Sequence, residues 1–96
     1  MAADEGQAGP VTVYSVETDS DAVGEIAALP AVALVSYADL MARLEETPWS
    51  GEVYSTQRPG EAMRTHPFGD GGAGLAIYLV LDGQQRVVVL RVLWAR

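Results

Sequence analysis

The sequence predicts an α+β domain in which a strand and a helical hairpin precede a small antiparallel sheet, in the order β-α-α-β-β-β. Two observations lead to this prediction. Apolar residues recur at three- and four-residue steps between positions 19 and 46, which is the period of amphipathic helices. Short strand-like runs occupy 11–18, 62–68, 75–81 and 87–94. The 96 residues suffice for one domain, predicted over 11–96 after a disordered leader at 1–10.

The N-terminal half contains the first predicted strand and both predicted helices. VTVYSVET at 11–18 alternates as a strand does, and Asp19 is placed to cap a short helix that ends at Pro30. A second helix is predicted over 31–46, with Pro48 stopping it. The residues expected to face the core are Val23, Ile26, Ala27 and Leu29 in the first helix, and Val32, Val35 (or Leu34), Tyr37, Leu40, Met41 and Leu44 in the second.

The C-terminal half contains the remaining strands. Residues 50–62 are predicted to be a linker with an edge segment at 53–55, and GDGG at 69–72 and DGQQ at 82–85 are turns between strands. The last two strands are apolar on both faces, whereas a small antiparallel sheet usually leaves one face polar. The helices can cover one face only. The other face is therefore predicted to bind a partner, a second copy of the chain or the leader.

Composition and charge exclude several classes of protein. The absence of cysteine excludes disulfides and cysteine zinc sites and fits a reducing cytosol, and a single His excludes a His-rich metal site, so no metal or cofactor is expected. No apolar run is long enough to span a bilayer, and the acidic start MAADEGQAGP does not resemble a signal peptide, so no membrane association is expected. The net charge of −7 argues against a general nucleic-acid binder. Residues 1–57 carry −9 and residues 58–96 carry +2, so the predicted sheet is mildly basic.

Arg64 and His66 are the first candidates for chemistry, because two-residue alternation puts both on one face of the second predicted strand. A guanidinium can hold the non-bridging oxygens of a phosphodiester, and an imidazole can move a proton near neutral pH. Unpaired RNA supplies its own nucleophile, the 2′-hydroxyl. The structural alternative is that Arg64 pairs with Glu61 or a turn carbonyl and that His66 only ends a strand.

Tyr78 and the remaining arginines have weaker signals. The Tyr78 phenol suits base stacking or proton donation, but a mid-strand tyrosine also suits the core. Arg91 interrupts an apolar strand and is expected either to pair with a carboxylate such as Glu17 or to bind an anion. Arg58 and Arg96 lie in predicted flexible segments. The turn GDGGAG lacks the GxxxxGK[ST] pattern and the following helix of a phosphate-binding loop.

Several segments together resemble the RelE/ParE toxins of bacterial toxin–antitoxin systems. They are ALP at 28–30, PWSG at 48–51, AMRTHPFG at 62–69 and GLAIYLVLDGQQRVVVLRVLW at 74–94. The resemblance covers roughly 11–95 and is to the RelE-like branch. It implies a cytoplasmic endoribonuclease that cuts mRNA in the ribosomal A site and is held inactive by a cognate antitoxin.

The resemblance also implies roles for individual residues. Arg64 falls where RelE-like toxins carry an arginine of the catalytic surface. From their chemistry, His66 or Tyr78 is expected to be the proton donor, and Arg58, Arg91 and Arg96 are expected to bind RNA. Leu75 stands where the family carries its next arginine, and the family's lysines have no counterpart beyond Arg58. Cleavage activity is therefore expected to be reduced or lost.

Two alternatives to RNA cleavage stay open at this point. The chain is also similar to ParE-like toxins, which share the fold and inhibit DNA gyrase. The other alternative is an inactive member of the family that only binds an antitoxin or associates with itself through the apolar sheet face.

Overall fold

In the computed structural model of the chain, residues 13–55 and 62–95 are described. The predicted leader at 1–10, the start of the first predicted strand, Arg58, Glu61 and Arg96 lie outside these residues. Among the helices within the described ranges, none combines the length and the apolar composition that crossing a bilayer requires.

The described strands form one sheet in the order β1–β5–β4–β3–β2. The strands are β1 (Ser15–Thr18), β2 (Glu52–Val53), β3 (Met63–Phe68), β4 (Gly74–Leu81) and β5 (Arg86–Trp94). β2 to β5 pair antiparallel as predicted, and the predicted edge segment is the short strand β2. β1 instead pairs parallel to β5, so the sheet is mixed. Alternation of side chains predicts which face a residue occupies but not the direction of its neighbour, and helices between two strands permit a parallel pairing.

Two helices connect β1 at one edge of the sheet to β2 at the other. Helix α1 is Ser20–Ala27, and the Asp19 carboxylate accepts a hydrogen bond from the Asp21 amide at 3.2 Å, which confirms the predicted N-cap. Helix α2 is Ala31–Glu46, the range predicted from the two prolines that flank it. The turn Pro48–Ser50 then leads into β2.

The core lies between the helices and one face of the sheet. Its buried apolar members are Ala22, Leu29, Ala33, Tyr37, Leu40, Leu44, Phe68, Ala76, Tyr78, Val80, Val87, Val89 and Val92. Tyr37, Leu40 and Leu44 were predicted correctly, but Val32 and Val35 are 70% and 66% exposed. Ala33 is buried in their place. In α1 the same exchange buries Ala22 and leaves Val23 exposed.

The other face of the sheet is not covered by any described element. Along β4, residues alternate between buried and half-buried, and the half-buried set is Leu75, Ile77, Leu79 and Leu81. Leu93 of β5 pairs with Leu75 and is 40% exposed. We call these five residues the open apolar face. The prediction of apolar side chains on both faces is thus confirmed for β4. On β5 the same face also carries Arg86 and Arg91, which pair with Leu81 and Ile77.

Candidate functional site

Arg64 and His66 lie on the same face of β3, as the alternation predicted. Arg64 pairs with Tyr78 and His66 with Ala76 of β4, and both partners point into the core below the helices. The two candidate residues therefore lie on the helix-covered face, and both are only half-buried. Leu75 lies on the opposite face, within the open apolar face.

The guanidinium of Arg64 is stacked on an aromatic ring. Its Cζ lies 4.8 Å from the centre of the Trp49 ring, within the range of a cation–π interaction. Arg64 Nε is buried without a hydrogen-bond partner among the described residues. The expected pairing with Glu61 lies outside those residues.

The ring of Trp49 is held in place by a hydrogen bond to Asp82. Its Nε1 donates to Oδ1 of Asp82 at 3.1 Å, and the Tyr14 hydroxyl donates to the same oxygen. The hydrogen bonds from Tyr14 and then Trp49 hold the pKa of Asp82 below its usual value. Asp82 therefore stays ionised and links the turn before β5 to the ring on which Arg64 rests.

Tyr78 is fully buried, and its hydroxyl is already engaged. The hydroxyl donates to the carbonyl oxygen of Pro48 at 2.7 Å, and burial raises the pKa of the phenol. Gly51 lies directly against that hydroxyl. Tyr78 thus fixes the Pro48–Ser50 turn that carries Trp49.

His66 lines a groove between α2 and β3. The groove has a volume of about 190 Å³ and is lined by Ser36, Asp39, Leu40, Arg43, His66, Pro67, Phe68 and Gly69. His66 Nδ1 lies 2.8 Å from the carbonyl oxygen of Pro67, and because a carbonyl only accepts, Nδ1 carries the proton. In the neutral ring this leaves Nε2 unprotonated.

Arg43 is a candidate that the sequence reasoning did not single out. The structure places it beside the same groove as His66. Ser36, Asp39 and Arg43 are spaced at three and four residues, so they form a polar stripe next to the buried stripe of α2. The spacing of these three residues could have indicated a polar surface on α2. The sequence does not show which strand that surface would face.

Arg91 lies outside this region and is bound to a carboxylate. Its Nη2 and Nε lie 2.7 and 2.9 Å from Oε2 of Glu25, so Arg91 pairs with a carboxylate as expected, but with that of Glu25 and not Glu17. Glu17 pairs instead with Arg86 at 2.7 Å. The hydrogen bonds from Arg91 and then from the Val92 amide lower the pKa of Glu25. The other predicted RNA-binding residues, Arg58 and Arg96, lie outside the described residues.

Comparison with solved structures finds the same arrangement of strands and helices in toxin–antitoxin complexes. The matching chain of the intact E. coli RelBE complex superposes with a TM-score of 0.70 at 18% identity, over 86% of this chain and 98% of that one. The chain has the RelE fold. RelBE2 from Mycobacterium tuberculosis matches with a TM-score of 0.71 at 20% identity, over 85% of this chain and 98% of the other. The archaeal RelE–RelB complex from Pyrococcus horikoshii matches with a TM-score of 0.64 at 16% identity, over 86% and 96%.

No family model and no curated protein sequence matches the chain. The RelE fold is thus established by the path of the backbone. Roles for Arg64, His66 and Arg43 depend on their chemistry in this structure.

Proposed function

We propose that the chain is the toxin of a type II toxin–antitoxin module and cleaves mRNA bound to the ribosome in the cytoplasm. The observation that carries the proposal is that a chain with the RelE fold has Arg64 and His66 on one face of β3, with His66 lining a groove that Arg43 also lines. A cation and a proton carrier next to each other are the minimum that phosphodiester cleavage in RNA needs.

The reaction follows from the chemistry of RNA. The 2′-oxygen attacks the adjacent phosphorus, the bond to the 5′-oxygen breaks, and a 2′,3′-cyclic phosphate and a 5′-hydroxyl result. One proton leaves the 2′-hydroxyl and one is delivered to the 5′-oxygen. The Arg64 guanidinium stabilises the extra negative charge on the non-bridging oxygens as the new bond forms.

We assign the proton transfer to His66 rather than Tyr78. The Tyr78 hydroxyl is buried and donates to Pro48, and its raised pKa opposes loss of a proton. His66 is half-buried, and its Nδ1 is fixed by Pro67, which leaves Nε2 to accept or donate. Arg43, across the groove, is a second cation for the phosphate.

Cleavage by this chain is proposed to be slow. Hydrogen bonds to charged groups contribute about 1.5–3 kcal/mol each. Among the described residues, Arg64 and Arg43 are the arginines near His66, and Leu75 lies on the opposite face of the sheet. Arg64 and Arg43 would therefore have to supply most of the stabilisation of the phosphate, together with any contact from Arg58.

Primer extension on a reporter mRNA in a bacterial cell-free translation reaction tests the proposal. New 5′ ends within codons are expected with the wild type and are expected to disappear with Arg64→Ala and with His66→Gln. Arg86→Ala removes one arginine that is bound to Glu17, and should leave cleavage unchanged. Intact mRNA with the wild type would contradict the proposal, and DNA damage in expressing cells would then favour a gyrase inhibitor.

A second candidate function is partner binding without catalysis, and the open apolar face favours it. Five apolar side chains on one sheet face are uncovered by any described element, and such faces usually meet a partner. We propose a cognate antitoxin as the partner and self-association through this face when the antitoxin is absent. Sedimentation of wild type and Leu93→Asp tests this: the wild type should form dimers that the substitution dissociates. An entirely monomeric wild type would exclude self-association.

A further inference from the structure

Trp49 is exposed and yet held in place. It has 40% of its surface open to solvent, whereas its Nε1 is hydrogen-bonded to Asp82 and its backbone turn is fixed by Tyr78. An exposed tryptophan held at both its ring and its backbone presents a flat apolar surface with little entropy left to lose on binding.

The Arg64 guanidinium adds a charge to that surface. Its Cζ lies 4.8 Å from the centre of the Trp49 ring. No hydrogen bond or ion pair joins the guanidinium to another side chain in the described part of the chain, and Nε is buried without a partner there. A flat aromatic ring and a stacked guanidinium are the two groups that unpaired nucleotides use most, one for the base and one for the phosphate.

We propose that Trp49 and Arg64 form a binding subsite for one unpaired nucleotide of single-stranded RNA. The base stacks on the exposed part of the Trp49 ring, and the adjoining phosphate accepts hydrogen bonds from Arg64. The inference builds on the proposed function, because it takes RNA as the substrate. It adds a stacking residue, Trp49, and a positioning residue, Asp82, which holds the ring where Arg64 meets it.

Stacking is the type of contact that suits a chain of this charge. With a net charge of −7, the protein as a whole repels a polyphosphate, so accumulated phosphate contacts cannot supply the affinity. Base stacking is independent of the net charge and requires the base to be unpaired. The subsite is therefore expected to select single strands over duplexes.

Quenching of Trp49 fluorescence by a short single-stranded oligoadenylate tests the subsite. The chain has two tryptophans, and Trp94 is half-buried against Phe68, so Trp94→Phe leaves Trp49 as the single reporter. Quenching should saturate, and an RNA of the same length with abasic ribose units should bind about tenfold more weakly. Absence of quenching, or equal binding of the abasic RNA, would overturn the proposal.

Anisotropy of a dye-labelled oligoadenylate gives a second measurement on the full-length chain with both tryptophans. Trp49→Leu and Arg64→Gln should each weaken binding about tenfold. Arg86→Gln makes the same change in charge at an arginine bound to Glu17 and should change binding less than about twofold. Equal losses with Arg64→Gln and Arg86→Gln would show a general effect of charge and would exclude the subsite.

The role of Asp82 is separated by two further variants. Asp82→Asn keeps an oxygen that can accept from Trp49 and should retain most of the binding, whereas Asp82→Leu should lose it. Tyr14→Phe removes the other donor to the same oxygen without touching Trp49, so binding should persist. If Asp82→Leu binds like the wild type, Asp82 does not position the ring.

Failure of the subsite and failure of the proposed function give different results. Oligoadenylate binding that depends on Trp49, with mRNA left intact during translation, would support the subsite and refute cleavage. Cleavage that is unaffected by Trp49→Leu would refute the subsite and leave the proposed function standing.

Discussion

Tyr37 and Tyr78 are buried in the same core but differ in the hydrogen bonding of their hydroxyl groups. The Tyr37 hydroxyl has no hydrogen-bond partner in the described part of the chain, whereas the Tyr78 hydroxyl donates to Pro48. A buried polar group without a partner costs about 1–3 kcal/mol. We expect Tyr37→Phe to raise the free energy of unfolding by about 1 kcal/mol and Tyr78→Phe to lower it by about 1–3 kcal/mol. Urea denaturation measures both, and losses of equal size would contradict the difference.

The same tyrosine predicts a loss of stability in alkali. Burial raises the pKa of Tyr37 from 10.0 to about 12. Between these values the unfolded chain loses the phenol proton and the folded chain retains it, so the free energy of unfolding falls as the pH rises. Urea midpoints from neutral pH to about pH 11 should show this decline. Tyr37→Phe should make it shallower, and an unchanged decline would mean that other groups cause it.

Gly51 is required because of what lies against it. A Cβ there would be 2.6 Å from the carbonyl oxygen of Thr65 and would overlap the Tyr78 hydroxyl. We expect Gly51→Ala to lower the free energy of unfolding by about 1–3 kcal/mol, because the Pro48–Ser50 turn must move. Gly24→Ala is the matched control: nothing lies near that position in α1, so it should raise stability by up to about 1 kcal/mol. A neutral Gly51→Ala would show that the turn adjusts freely.

The carboxylate of Glu25 joins helix α1 to strand β5. β1 pairs with β5 only up to Val89, and beyond that point Glu25 accepts from the Val92 amide at 2.8 Å and from Arg91. Glu25 thus takes the place of the missing strand at this edge, which explains why Arg91 did not pair with Glu17.

This edge predicts a loss of stability in acid. The pKa of Glu25 is lowered from 4.5, so its contribution is present above that value and is lost as the pH falls toward the folded-state pKa. Glu25→Gln should lower stability at neutral pH and reduce the difference between urea midpoints at neutral pH and at about pH 3. Glu17→Gln, in an exposed ion pair, should change both less. Equal effects of the two substitutions would contradict the role of Glu25.

At the scale of elements, the sequence predicted which helices and strands exist and where they end better than it predicted how the helices are oriented. Pro30 and Pro48 flank α2, so both of its ends were visible. The rotation of the helices about their axes was not visible, because Ala22 and Ala33 are buried while larger valines remain exposed. Hydrophobic spacing alone favours the valines, and only the distance to the sheet decides between them.

For the whole molecule, the small number of proposed phosphate contacts predicts a shallow dependence of RNA binding on salt. Each phosphate contact to a single strand contributes a slope of about −0.7 in log K against log salt. With Arg64 alone we expect a slope near that value, and with Arg43 about twice it. Anisotropy titrations of oligoadenylate at several KCl concentrations measure the slope. A slope several times steeper would show a basic surface that the described residues do not contain.

The candidate site could be predicted only in part, because its residues come from distant parts of the chain. Arg64 and His66 are neighbours in one strand, and the two-residue alternation was sufficient to place them together. Arg43 of α2 lines the same groove as His66, and Trp49 of the Pro48–Ser50 turn stacks on Arg64. Those contacts depend on how the helices pack on the sheet, for which periodicity carries no information.

The parallel pairing of β1 with β5 affects how the protein is made. Ser15 to Thr18 have their partners at Arg86 to Val89, so the sheet edge closes only after those late residues have left the ribosome. Contacts between residues so far apart in sequence form slowly, and the segments made earlier keep apolar surface exposed until these contacts form. A nascent chain therefore lacks a complete sheet until residues 86–89 have been made and released. If the proposed activity is correct, the chain is unable to cut RNA before that point of its synthesis.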